Sequence, residues 1–233
     1  MKQRKRMLAG LLIMILLLAG CGGSRKDLSG KVTPNETRST QAAEEEDVSL
    51  GRLEGGVYTN SYAGFGCTLD SNWVFYSAQD LQELPGNIQE LLKDTEAGDS
   101  LAELNQITDM KAENTADLTT VNVLYTKLDT ATRLVYAVMS EEDIVDAVLE
   151  QKDMIVSTYA QAGIEVADME KISVDFLGES HFAVRTSSSW DGIPYFTLQI
   201  YDYHAGPYGI ITTFASYVED RTEDLLSLFY KVE

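Results

Sequence analysis

Apolar and polar positions along the chain fall into four regimes. Residues 7–19 form an apolar run, Met7 to Ala19, with no charged side chain. Residues 21–55 are polar and charged, with no aromatic residue before Tyr58. From Gly56 the pattern alternates with the period of a β-strand, and between Glu141 and Ala162 it shifts to the 3.6-residue period of a helix. The stretch GVYTNSYAGFGCTLDSNWVFY mixes β-branched and aromatic residues with turn formers, which predicts a hairpin or two short strands. AQDLQELPGNIQELLKDT is helical on either side of Pro85-Gly86, a pair that breaks the helix. Strands return in QITDMKA and TTVNVLYTKL.

The segment Glu141–Ala162 reads as one helix. Ser140 caps its first turn, with Asp143 three residues on, and Gly163 suits the left-handed position beyond its end. Ile144, Val145, Val148, Leu149, Ile155, Val156 and Tyr159 form a stripe interrupted by Lys152, so the helix covers a sheet. IEVADMEKISVDFL, HFAVRTSSSW, PYFTLQIYDYH and YGIITTFASY are extended. Asp191-Gly192 and Ala205-Gly206-Pro207 separate the last three, which predicts an antiparallel meander. RTEDLLSLFYKV closes the chain as a short amphipathic helix. Without regular strand–helix alternation, the fold class is α+β: a central antiparallel sheet flanked by helices.

The apolar run follows Lys2, Arg4, Lys5 and Arg6, the basic-then-apolar order of an export signal. Its 13 residues make a helix of about 20 Å, short of a hydrocarbon core of about 30 Å. Leu18-Ala19-Gly20-Cys21 resembles the bacterial lipobox, which implies diacylglyceryl transfer to the Cys21 sulfur and cleavage before it. The expected organisation is a lipoprotein signal peptide over 1–20, a disordered acidic tether over 21–55 and one α+β domain over 56–233. A tether of this length reaches about 30 Å. Within it, Glu44 to Asp47 is a solvating block, and the Asn35-Glu36-Thr37 sequon is discounted behind a bacterial lipobox. The location that follows is the extracytoplasmic face of the membrane.

Charge narrows the function. The chain carries −19; removing 1–20 leaves 14 basic against 37 acidic side chains, a net −23. Such a surface disfavours nucleic acid and flat docking on anionic lipid. It suits a domain held off the envelope, or one that attracts basic partners.

Catalytic patterns are sparse. The two histidines are His181 and His204, and no metal-binding, phosphate-cradling or nucleophile-elbow motif is present. A hydrolytic triad needs Ser187, Ser188 or Ser189 near His204, with Asp191 or Asp202 as acid; turn and strand-end composition explains the same residues. Asp202 and His204 share a strand face with Ile200, a weak metal pair without a third ligand. On the opposite phase Tyr195, Thr197, Gln199, Tyr201 and Tyr203 line up. That row is either core packing under a helix, the favoured reading, or a partner surface at Tyr195, Tyr201 and Tyr203. Cys67, the one thiol left after lipidation, reads as a small buried hydrophobe.

The order of GVYTNSYAGFGCTLDSNW, ITDMKAEN, a mid-chain helix and VDFLGESHFAVRTSSSWDGIPYFTLQIYDYHAGPYGIITTFA resembles the Mog1/PsbP-like domains found in lipoproteins of Gram-positive anaerobes. Tyr58, Asn60, Gly64, Phe65 and Trp73 fit that group's opening pattern, while Asp70 stands where a proline is usual. The resemblance covers about three quarters of the chain and implies an antiparallel sandwich but no established reaction. The expectation is a lipid-anchored, non-enzymatic binding or accessory module with no cofactor. Its partners are the membrane, through Cys21, and an envelope protein. The alternative is a small envelope hydrolase or metal-dependent enzyme using His204 and Asp202.

Overall fold

The computed structural model describes residues 38–39, 51–77, 79–81, 106–203 and 206–232. Cys21, the Glu44–Asp47 block, the segment around Pro85-Gly86 and His204 lie outside the described residues. Two antiparallel sheets make up most of the fold. The larger contains β5 (Trp73–Phe75), β6 (Gln106–Asn114), β7 (Thr120–Lys127), β8 (Ile164–Phe176), β9 (Glu179–Trp190), β10 (Ile193–Asp202) and β11 (Tyr208–Tyr217), in the order β5-β6-β7-β11-β10-β9-β8. The smaller contains β1 (Arg38–Ser39), β2 (Arg52–Glu54), β3 (Val57–Asn60), β4 (Phe65–Thr68) and β12 (Phe229–Lys231), in the order β1-β2-β3-β4-β12. The meander β8 to β11 follows its turn chemistry, with Asp191 at φ 50° and Gly192 at φ 76° between β9 and β10. The protein is α+β but mainly β.

Alternation along the strands divides the large sheet's side chains between two cores. Leu198, Ile200, Val123 and Phe214 face the small sheet and pack with Phe65, Cys67 and Phe229. Tyr201, Ile211, Leu124 and Val184 face the helices. Three short helices are described: α1 (Thr130–Tyr136), α2 (Glu141–Leu149) and α3 (Lys152–Gln161). Ile144, Val145 and Val148 of α2 and Ile155 and Tyr159 of α3 fill the second core. The Ser140–Asp143 capping box forms as the sequence predicts, and Gly163 takes φ 77°.

Three expectations are corrected. The helix over 141–162 is broken: Gln151 leaves helical geometry at φ −95°, ψ 9°. A continuous stripe would press Lys152 against the sheet; the break instead lets its Nζ donate to Met169 O at 3.0 Å and Asp168 Oδ1 at 3.2 Å. The closing segment is not an amphipathic α-helix but a 3-10 turn, Asp224–Leu228, followed by β12. Extension there places Phe229 among Phe65, Phe176 and Phe214, with ring centroids 5.4–5.7 Å away. Finally, β1 and β2 lie inside 21–55, so structure begins before the expected boundary at 56. Leu53 is buried in the small-sheet core, which explains why β2 belongs to the domain.

Candidate functional site

The densest buried polar group joins the two sheets. In β6 the pairing with β7 skips one residue: Thr108 pairs with Leu124 and Met110 with Val123, leaving Asp109 as a bulge. Bulges re-aim side chains, and the Asp109 carboxylate meets the small sheet. It accepts from Gly51 N at 3.0 and 2.9 Å, from Asn60 Nδ2 at 2.7 Å and from the Tyr58 hydroxyl. Asn60 Nδ2 also lies 2.9 Å from Tyr58 Oη and 2.5 Å from Tyr125 Oη, while its Oδ1 accepts from Ala63 N at 2.8 Å. All four side chains are buried.

Burial, followed by the Asp109 charge, pushes the Tyr58 phenol well above its ordinary pKa, and the same two causes raise Tyr125. Both phenols stay protonated, and Tyr58 serves as a donor to the carboxylate. Gly51 has no room for a side chain, since a Cβ would fall 2.1 Å from Tyr58 Cε2. The adjoining cavity, lined by Gly51, Leu53, Tyr58, Phe75, Asp109, Met110 and Lys111, measures about 10 Å³, room for about one water molecule. Lys111 Nζ lies 5.0 Å from the centre of the Tyr76 ring, whose hydroxyl donates to Glu113 Oε2 at 3.0 Å. The cluster fastens sheet to sheet and, at this cavity, admits no organic substrate.

The residues singled out by sequence are dispersed. Tyr195, Tyr201 and Tyr203 are buried, at 0%, 1% and 3% exposure. A partner surface on that row is therefore corrected: Tyr201 and Tyr203 face the helical layer, where Tyr203 stacks on Tyr136 of α1 with centroids 4.4 Å apart, and Tyr195 packs against Ala215 and Tyr217. Tyr201 Oη donates to Gln199 Oε1 at 3.0 Å. Ser188 is buried and donates to Tyr195 O at 2.8 Å, while Ser187 and Ser189 are half-buried on the other phase. Asp202 lies seven residues along β10 from Tyr195, the register partner of Ser188, which is about 24 Å of strand. No triad joins Asp202 to these serines. Asp202 is half-buried on the small-sheet phase, where its charge bears on Tyr62 and His181.

Asp191 is exposed at its turn. Among the described residues no three His, Cys, Asp or Glu side chains gather as a metal site requires. Cys67 is fully buried, and burial raises its thiol to about 12. Tyr58 and Asn60 stood in the opening motif, but their partners were missed. The available signal was a carboxylate inside the predicted strand QITDMKA, two positions after Ile107 and next to Met110.

No protein-family model and no curated protein matches the sequence. The solution structure of cyanobacterial PsbP (CyanoP) from Synechocystis sp. PCC 6803 is similar over 82% of this chain and 98% of its own, at 10% sequence identity and a TM-score of 0.41. The fold described above rests on the strands and their register.

Proposed function

We propose that this protein is a lipid-anchored, extracytoplasmic binding or accessory module of a Gram-positive cell envelope, held in the membrane by a diacylglyceryl group on Cys21. The carrying observation for a non-enzymatic role is the commitment of the buried polar groups. Asp109, Tyr58 and Asn60 are engaged with one another between the sheets, and Ser188 is engaged with Tyr195 O. Preorganised catalytic groups need an approachable reacting centre, and these face protein. The lipobox-like Leu18-Ala19-Gly20-Cys21 and the acidic segment after it support a domain held clear of headgroups. Two acyl chains hold firmly where one binds reversibly.

Crosslinking on intact cells tests the binding role. The lipidated protein is expected to capture a defined envelope protein, reproducibly and in stoichiometric yield. Failure to capture any partner, together with a turnover by the purified full chain that Asp202→Asn abolishes, would replace this reading with the enzymatic one.

A further inference from the structure

We infer that one end of the large sheet, carrying Leu118, Ile193 and Val218, is a docking surface for a basic protein segment with apolar anchors. The inference rests on the binding role proposed above and gives it a location and a partner chemistry. The three residues lie at the same end of the neighbouring strands β7, β11 and β10, as the pairs Thr120↔Ala215 and Tyr195↔Tyr217 require. Neighbouring strands lie about 4.8 Å apart. All three side chains are open to solvent, at 52%, 50% and 66% exposure.

Two of these positions oppose local backbone preference. Leu118 has φ 61° and Val218 φ 70°, conformations that glycine adopts without cost. Glu219 N donates to Tyr217 O at 2.8 Å, closing a three-residue turn around Val218. With positive φ at its centre this is a γ-turn of the strained hand, and a β-branched residue there is an outlier. Strained backbone persists where surrounding structure enforces it, and it clusters at functional sites.

Here the enforcement is visible. Val218 N donates to Pro194 O at 2.9 Å, binding the residue after β11 to the start of β10. Arg221 Nη1 donates to Asp117 Oδ2 at 2.7 Å, binding the segment after β11 to the β6–β7 turn. Three apolar side chains are thus held at one end of the sheet, Ile193 on the first residue of β10 and Leu118 and Val218 on braced turns, the arrangement of interface anchors.

Charge selects the partner. Asp191 and Glu219 are exposed beside these anchors, Asp117 is half-buried, and Asp220 lies 3.6 Å from Arg185 Nε. The nearby cation Arg221 is engaged with Asp117 and lies 3.6 Å from Asp224. An acidic rim around apolar anchors repels anionic lipid and acidic proteins, and it complements a segment bearing Leu or Ile among Lys or Arg.

Fluorescence anisotropy tests this with the mature chain carrying Cys21→Ser, which removes only the lipid. The probes are a labelled peptide of alternating Leu and Lys, a Gly–Lys peptide and a Leu–Glu peptide. The Leu–Lys peptide is expected to bind at least tenfold tighter than either other peptide. The combined variant Leu118→Gly, Ile193→Thr, Val218→Gly is expected to lose at least tenfold in affinity while melting no lower than the parent, because glycine suits both strained positions. Asp191→Lys with Glu219→Lys, which keeps the anchors, is expected to lose binding as well. Absence of Leu–Lys binding, or equal binding by the triple variant, overturns the docking surface. In intact cells, a partner captured equally by parent and triple variant overturns the surface but leaves the binding role standing; no partner from the parent overturns the role itself.

Discussion

Asp109 accepts four hydrogen bonds from Gly51, Tyr58 and Asn60 in a closed interior. Replacing it with Asn gives the site an amide donor facing donors. Asp109→Asn is therefore expected to destabilise the protein by about 2–4 kcal/mol, measured by urea unfolding; a change under about 0.5 kcal/mol would show that the cluster is not a clamp. His181 gives a pH-dependent counterpart. Its Nδ1 lies 2.9 Å from Glu141 Oε1, and that hydrogen bond, with the charges of Glu141, Glu179 and Asp202, raises the imidazole pKa against the opposing effect of burial. A folded value above the unfolded one, about 6.5, stabilises fully below the unfolded value, and the gain is lost as pH rises through the folded value. His181→Gln is thus expected to cost more stability at pH 5 than at pH 9; an equal cost at both would contradict the pairing. Sequence made Tyr58, Asn60 and the burial of Cys67 legible, since motif and strand phase are local. Asp109 and Tyr125 become partners only through a bulge and a sheet-to-sheet contact, which no local pattern encodes.

At the scale of elements, periodicity carried the long strands, because β8 to β11 alternate over 10 to 13 residues with strong turns between them. Periodicity failed where a short segment answers to tertiary packing. Lys152 marked the break between α2 and α3 as an interruption in the stripe, yet its significance depended on Met169 O lying within reach. The strand β12 was read as helix because LLSLFYKV has helical spacing, whereas Phe229 completes an aromatic cluster and pairs with Cys67 of β4. Phe229→Ala is expected to cost about 3–5 kcal/mol, read by thermal or urea unfolding. A loss below about 1 kcal/mol would mean that β12 is an accessory edge and not part of the core.

For the whole molecule, two sheets and a helical layer give a packed domain whose buried polar groups bond to one another across the sheets. In the proposed role, its acidic exterior and the apolar end of the large sheet supply recognition. In the role proposed above, the sequence order of basic cluster, apolar run, cysteine and acidic segment is the basis for holding that domain on a tether outside the membrane, and the binding role depends on this placement. Metabolic labelling with an alkyne fatty acid, followed by mass analysis of the mature amino terminus, tests it most directly. The wild-type protein is expected to carry label on an amino-terminal Cys21 and to lose it in Cys21→Ser. Label that survives the substitution, or an unlipidated mature chain beginning at another residue, would contradict the anchored module.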